Sequence, residues 1–132
     1  FSHDWNSFDF SNLLIKNSLV YFDDHVSQAE RVIESRDRGF SHVIFNNNRP
    51  VHVIHSGGWP ASPTLDMVLD KSLKHGQGIH WESPINRFSY NHDLELSIKV
   101  RSAIETIVRL PNLSSETGYK PANLTYLRVV QS

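Results

Sequence analysis

The residues best placed to do chemistry are two polar clusters, Asp23-Asp24-His25 and Asn46-Asn47-Asn48. Carboxylate and amide oxygens are what hard divalent cations such as magnesium and calcium take as ligands. Magnesium keeps waters or substrate oxygens in its remaining positions. A histidine beside such a set can serve as a base or touch the substrate. Plainer uses compete: an acid at a strand-to-helix junction caps the helix and complements its dipole, and a run of asparagines suits a turn. The eight histidines include His52 and His55, but these fall in loop or strand, where residues three apart do not converge as they do on a helix. The absence of cysteine excludes a thiolate zinc site, a disulfide framework and a cysteine nucleophile. Ser56-Gly57-Gly58 lacks the strand-to-helix setting of a serine nucleophile elbow.

Each cluster directly follows an apolar run. Ser18-Leu19-Val20-Tyr21-Phe22 reads as a strand buried on both faces, and His42-Val43-Ile44-Phe45 as a second, shorter one. Between them Val26, Ala29, Val32 and Ile33 repeat at helical spacing, with Asp24 as the N-cap and Gly39 after the end. Strand, helix and strand make a βαβ unit, whose strands are parallel. Both clusters therefore emerge on the carboxyl edge, about 5 Å apart if the strands are neighbours, where open α/β sheets bind ligands. One cation could touch both.

Further along, residues 51–78 form a long irregular excursion around a short helix at 64–73. Ile79 to Trp81 and Phe88 to Tyr90 read as strand-like edges flanking a turn at Pro84. From Asp93 to Leu110 the apolar positions Leu96, Val100, Ala103, Ile104, Ile107 and Val108 predict the longest helix, capped by Asp93 and stopped by Pro111. Leu124 to Val130 closes the chain as a strand. Trp5, Phe8 and Phe10 precede the first strand and suit core packing or an interface, while Trp59 and Trp81 could line a pocket or anchor a partner.

Tyr21-Phe22-Asp23-Asp24-His25, the helix after it, and Ile44-Phe45-Asn46-Asn47-Asn48 resemble the fourth and fifth strands of metal-dependent class I S-adenosylmethionine O-methyltransferases. The catechol O-methyltransferase and cephalosporin hydroxylase-like groups are the nearest comparisons. The resemblance covers residues 18 to 50 and implies a partial Rossmann-like, methyltransferase-type α/β sheet with flanking helices. It implies Asp24, Asn47 and Asn48 as magnesium ligands and His25 as the catalytic group near the acceptor. Where the family carries an acid this chain has Asn47, so the ligand set has one less negative charge and holds a cation less tightly. No GxGxxG-like run is present, and the family's donor-binding loop would lie upstream of Phe1. Residues 1–132 are thus expected to form one methyltransferase-like domain, incomplete at its N-terminus.

Composition narrows the partners. With 13 Lys+Arg against 14 Asp+Glu the formal charge is -1, so no basic field exists to hold a nucleic acid. No apolar run approaches the roughly 20 residues of a membrane helix. A 39% hydrophobic, 20% charged chain collapses rather than staying disordered. Half of a doubly wound sheet leaves an edge to cover, which predicts a protein partner or self-association. Two functions follow. The first is a non-catalytic binding or structural subunit of a larger assembly, with no cofactor. The second is the substrate-side half of a magnesium-dependent O-methyltransferase using S-adenosylmethionine.

Overall fold

The computed structural model describes residues 9–10, 14–23, 26–46, 48, 63–82, 87–118 and 124–131. Among them is a mixed α/β arrangement: β1 (Leu19–Phe22), α1 (Gln28–Asp37), β2 (His42–Phe45), α2 (Leu65–Leu69), β3 (Gly78–Glu82), β4 (Arg87–Asn91), α3 (Leu94–Ala103), β5 (Ile104–Arg109), α4 (Ser114–Thr117) and β6 (Thr125–Val129). A four-stranded sheet runs in the order β1-β2-β6-β5, and β3 and β4 form a separate hairpin. β1 and β2 are parallel, with Phe22 level with Phe45, as a βαβ unit requires. β6 is antiparallel to both β2 and β5.

Strand alternation sorts the sheet into two faces. Phe22, Val43, Phe45, Leu127 and Val129 point to one side and pack with Ala29 and Val32 of α1, Leu65 and Val68 of α2, and Val100 and Ala103 of α3. The rings of Phe22 and Phe45 stack at 5.4 Å. Burying each such side chain contributes roughly 1.5–3 kcal/mol. A second cluster of Met67, Leu73, Ile79 and Trp81 joins the hairpin to α2. The opposite sheet face carries Leu19, Tyr21, Ile44, Tyr126 and Val108. Leu19 and Tyr21 are each 52% exposed there, so β1 is buried on one face only. Among the described residues α1, α2 and α3 pack on the other side, which the apolar run by itself does not reveal.

Two further expectations are corrected. The N-cap of α1 is Ser27, whose hydroxyl accepts from the Glu30 N–H at 3.3 Å, and the helix begins after Val26, which is left 41% exposed. The long helix ends at Ala103, and residues 104–109 are strand β5. Four of the five residues from Ile104 to Val108 are β-branched, which lose side-chain freedom in a helix and suit a pleated strand. A ladder to β6 completes the conversion. Asp93 does cap α3, accepting from the Leu96 N–H at 3.1 Å. Phe10 packs edge-on against Phe40 at 5.4 Å under the guanidinium of Arg38.

Candidate functional site at the carboxyl edge of the parallel pair

The ends of β1 and β2 meet as their spacing requires. Asn46 donates through Nδ2 to Asp23 Oδ1 at 3.1 Å, and its backbone N–H donates to the Phe22 carbonyl at 3.0 Å. Asp24, His25 and Asn47 lie outside the described residues. Asn48, the remaining candidate ligand, is fully buried. Its Nδ2 donates to Asp66 Oδ1 and to Thr125 Oγ1, each at 3.1 Å. Its Oδ1 accepts from the Asp66 backbone N–H at 2.8 Å. Its backbone carbonyl accepts from Arg109 Nη1 at 2.8 Å, while Nη2 of the same guanidinium pairs with Asp66 Oδ2.

These bonds explain a five-residue helix that propensity alone could not hold, since an isolated helix this short does not survive nucleation. The first N–H groups of a helix have no partner within it. In α2 the Leu65 N–H donates to Gln28 Oε1 at 2.8 Å, the Asp66 N–H to Asn48, and the Met67 N–H to the N-cap hydroxyl of Thr64 at 3.2 Å. Gln28 is in turn fixed by donating through Nε2 to the Asn46 carbonyl at 2.9 Å. The carboxyl edge is therefore a polar clasp that ties α1, α2, β2, β5 and β6 together. Buried polar groups satisfied in this way rigidify a fold and become costly to disturb one at a time.

Tyr21 stands beside the clasp on the open sheet face. Partial burial raises its phenol above the ordinary range, the nearby Asp23 carboxylate adds to the rise, and a hydrogen bond with Asn46 opposes it. It therefore stays a neutral hydroxyl at physiological pH. Among the described residues no group of three or more histidine, aspartate or glutamate side chains could hold a metal ion. Gln28, Asp66, Arg109 and Thr125, which complete the clasp, sit on four different elements. No local motif marks them, and only the fold brings them to Asn48.

A second concavity, of about 580 Å³, lies along the hairpin and is lined by His80, Trp81, Arg87, Phe88 and Ser89. Trp81 is 5% exposed and stacks on Phe88 at 5.9 Å, so it packs the hairpin as well as lining the hollow. After the end of β4, His92 is buried, with Nδ1 3.5 Å from the Tyr90 hydroxyl. Burial raises the Tyr90 phenol, a hydrogen bond from the Asp93 N–H opposes this, and the Asp93 carboxylate reinforces it.

No protein-family model, curated protein or solved structure matches the chain.

Proposed function

We propose that the chain is a methyltransferase-like α/β unit that serves as a non-catalytic binding or structural subunit of a larger assembly. The observation that carries this reading is the use made of the carboxyl edge. Asn48, which the resemblance assigns to magnesium, has its amide engaged with Asp66 and Thr125 on both its nitrogen and its oxygen. A side chain spent on holding α2 in place has a structural reason to be there. The apolar side chains of the opposite sheet face and of β5 are, by contrast, turned toward solvent, as a surface for partners would be.

The Asn46–Asp23 bond favours a second reading, because it joins the two polar clusters as a shared cation site would need. In that reading Asp24, Asn47 and Asn48 hold magnesium, and His25 lies near an acceptor hydroxyl. Magnesium would orient that hydroxyl and lower its pKa, and S-adenosylmethionine would supply the methyl group. Calorimetric titration of S-adenosylmethionine, with and without magnesium, separates the two. The subunit reading predicts no heat of binding under either condition and no gain in magnesium affinity for Asn47→Asp. Micromolar donor binding, or tighter magnesium binding by that variant, would replace it with the methyltransferase reading.

A further inference from the structure

A cleft between α2, α3 and β5 sets charges of both signs beside an apolar wall. Its volume is about 380 Å³, within the range of pockets that hold small molecules. Leu69, Ile104 and Ile107 form the apolar part. Leu69 and Ile104 are partly buried and pack against the main core, while Ile107 is 45% exposed and still has apolar surface to cover.

The charges that line the cleft sort into two kinds. Asp66 is neutralised, since its Oδ1 accepts from Asn48 Nδ2 at 3.1 Å and its Oδ2 pairs with Arg109. Glu105 is likewise occupied, with Oε2 3.4 Å from Arg128 Nε. Lys71 and Arg101 also line the cleft, and among the described residues neither pairs with a carboxylate. Arg101 is fixed in direction, because its Nη2 donates to the Leu69 carbonyl at 2.8 Å and to Ser97 Oγ at 3.4 Å. A guanidinium carries five N–H donors in a rigid fork, so this anchoring leaves Nε and Nη1 to donate elsewhere. Lys71 follows α2 by two residues, and its flexible stem lets the ammonium follow a ligand.

The cleft thus presents two uncompensated positive charges against aliphatic side chains. Apolar walls lower the local dielectric, which strengthens a charge pair formed beside them. An amine would meet charge of its own sign, and an inorganic anion would leave the apolar wall bare. A carboxylate on a short branched chain satisfies both parts.

We infer that this cleft binds a small aliphatic carboxylate, with its oxygens held by Arg101 and Lys71 and its chain laid on Leu69, Ile104 and Ile107. The inference goes beyond the subunit reading and does not depend on the outcome of the donor titration.

The test is a titration of the isotope-labelled chain with isocaproate, followed through backbone amide shifts. Shifts should saturate with a dissociation constant of about 1 mM, which is what so few heavy atoms support, and should centre on Leu69, Lys71, Arg101, Ile104 and Ile107. Acetate has the head without the chain and isoamylamine the chain with the opposite charge, so each should bind at least roughly tenfold more weakly. Lys71→Glu, at an exposed position, should weaken isocaproate by about tenfold while the circular dichroism spectrum is kept. Ile107→Ser should narrow the margin over acetate by about threefold, through lost apolar contact. No saturation up to about 20 mM, well above the expected constant, would overturn the inference. Shifts centred elsewhere, an unchanged affinity in Lys71→Glu, or equal binding of acetate or isoamylamine would overturn it as well.

Discussion

The carboxyl edge of the parallel pair and the outer edge of β5 lie at two sides of one sheet and treat their residues in opposite ways. At the first, Asn48, Asp66, Arg109 and Thr125 bond to one another, and Gln28 bonds the backbone of Asn46 and Leu65 beside them. At the second, Ile107 and Val108 turn apolar side chains outward. In many α/β sheets the carboxyl edge is where ligands sit. Here it holds the fold together, and exposed apolar side chains lie instead on a terminal strand. Arg109 belongs to both regions, since its side chain reaches Asp66 while its backbone faces out from β5.

That contrast predicts unequal responses to substitution. Asn48→Leu leaves the Asp66 N–H and the Thr125 hydroxyl without their buried partner. It should lower unfolding stability by about 3 kcal/mol, given the cost of stranding buried polar groups. Ile107→Lys replaces a side chain that is 45% exposed and should lower stability less, by about 1 kcal/mol. Urea unfolding of the two variants at low protein concentration checks both values. Similar losses for the pair would erase the distinction between a clasp and an open edge.

A smaller effect comes from the phenols. The pKa values of Tyr21 and Tyr90 are both raised on folding, so the unfolded chain loses those protons first as pH climbs. Stability is then constant below the ordinary phenol value near 10 and falls above it, until the raised folded-state values are passed. Urea midpoints measured between pH 8 and pH 11 should show this decline, and Tyr90→Phe should make it shallower. A decline of the same slope in that variant would remove Tyr90 from the account.

Much of the frame was legible because it rests on local patterns. The apolar runs at Leu19 and His42 with an amphipathic stretch between them gave the parallel βαβ unit, and Asp93 marked the start of α3. The closing strand at Thr125 was also legible, but its place between β2 and β5 was not, since local pattern carries no partner. β5 was hidden because Ile104, Ile107 and Val108 continue the helical spacing of α3 while their branching favours a strand. The polar clusters correctly marked an edge where β1 and β2 end together. What Asn48 does there could not be read, because its partners Asp66, Arg109 and Thr125 come from distant elements. Periodicity speaks to which face a residue takes, and the clasp depends on which elements meet.

The central claim, that the carboxyl edge is a structural clasp, is tested most directly by the thermal unfolding of Asn48→Asp with and without millimolar magnesium. The substitution replaces the Nδ2 donor by an anionic oxygen beside the Asp66 carboxylate, while supplying the acid that a cation site would want. The clasp predicts a melting temperature lower by roughly 10 °C, from the lost donor and the new like-charge contact, and no recovery when magnesium is added. A variant restored to or above the stability of the parent chain by magnesium would contradict the account and identify the edge as a metal site.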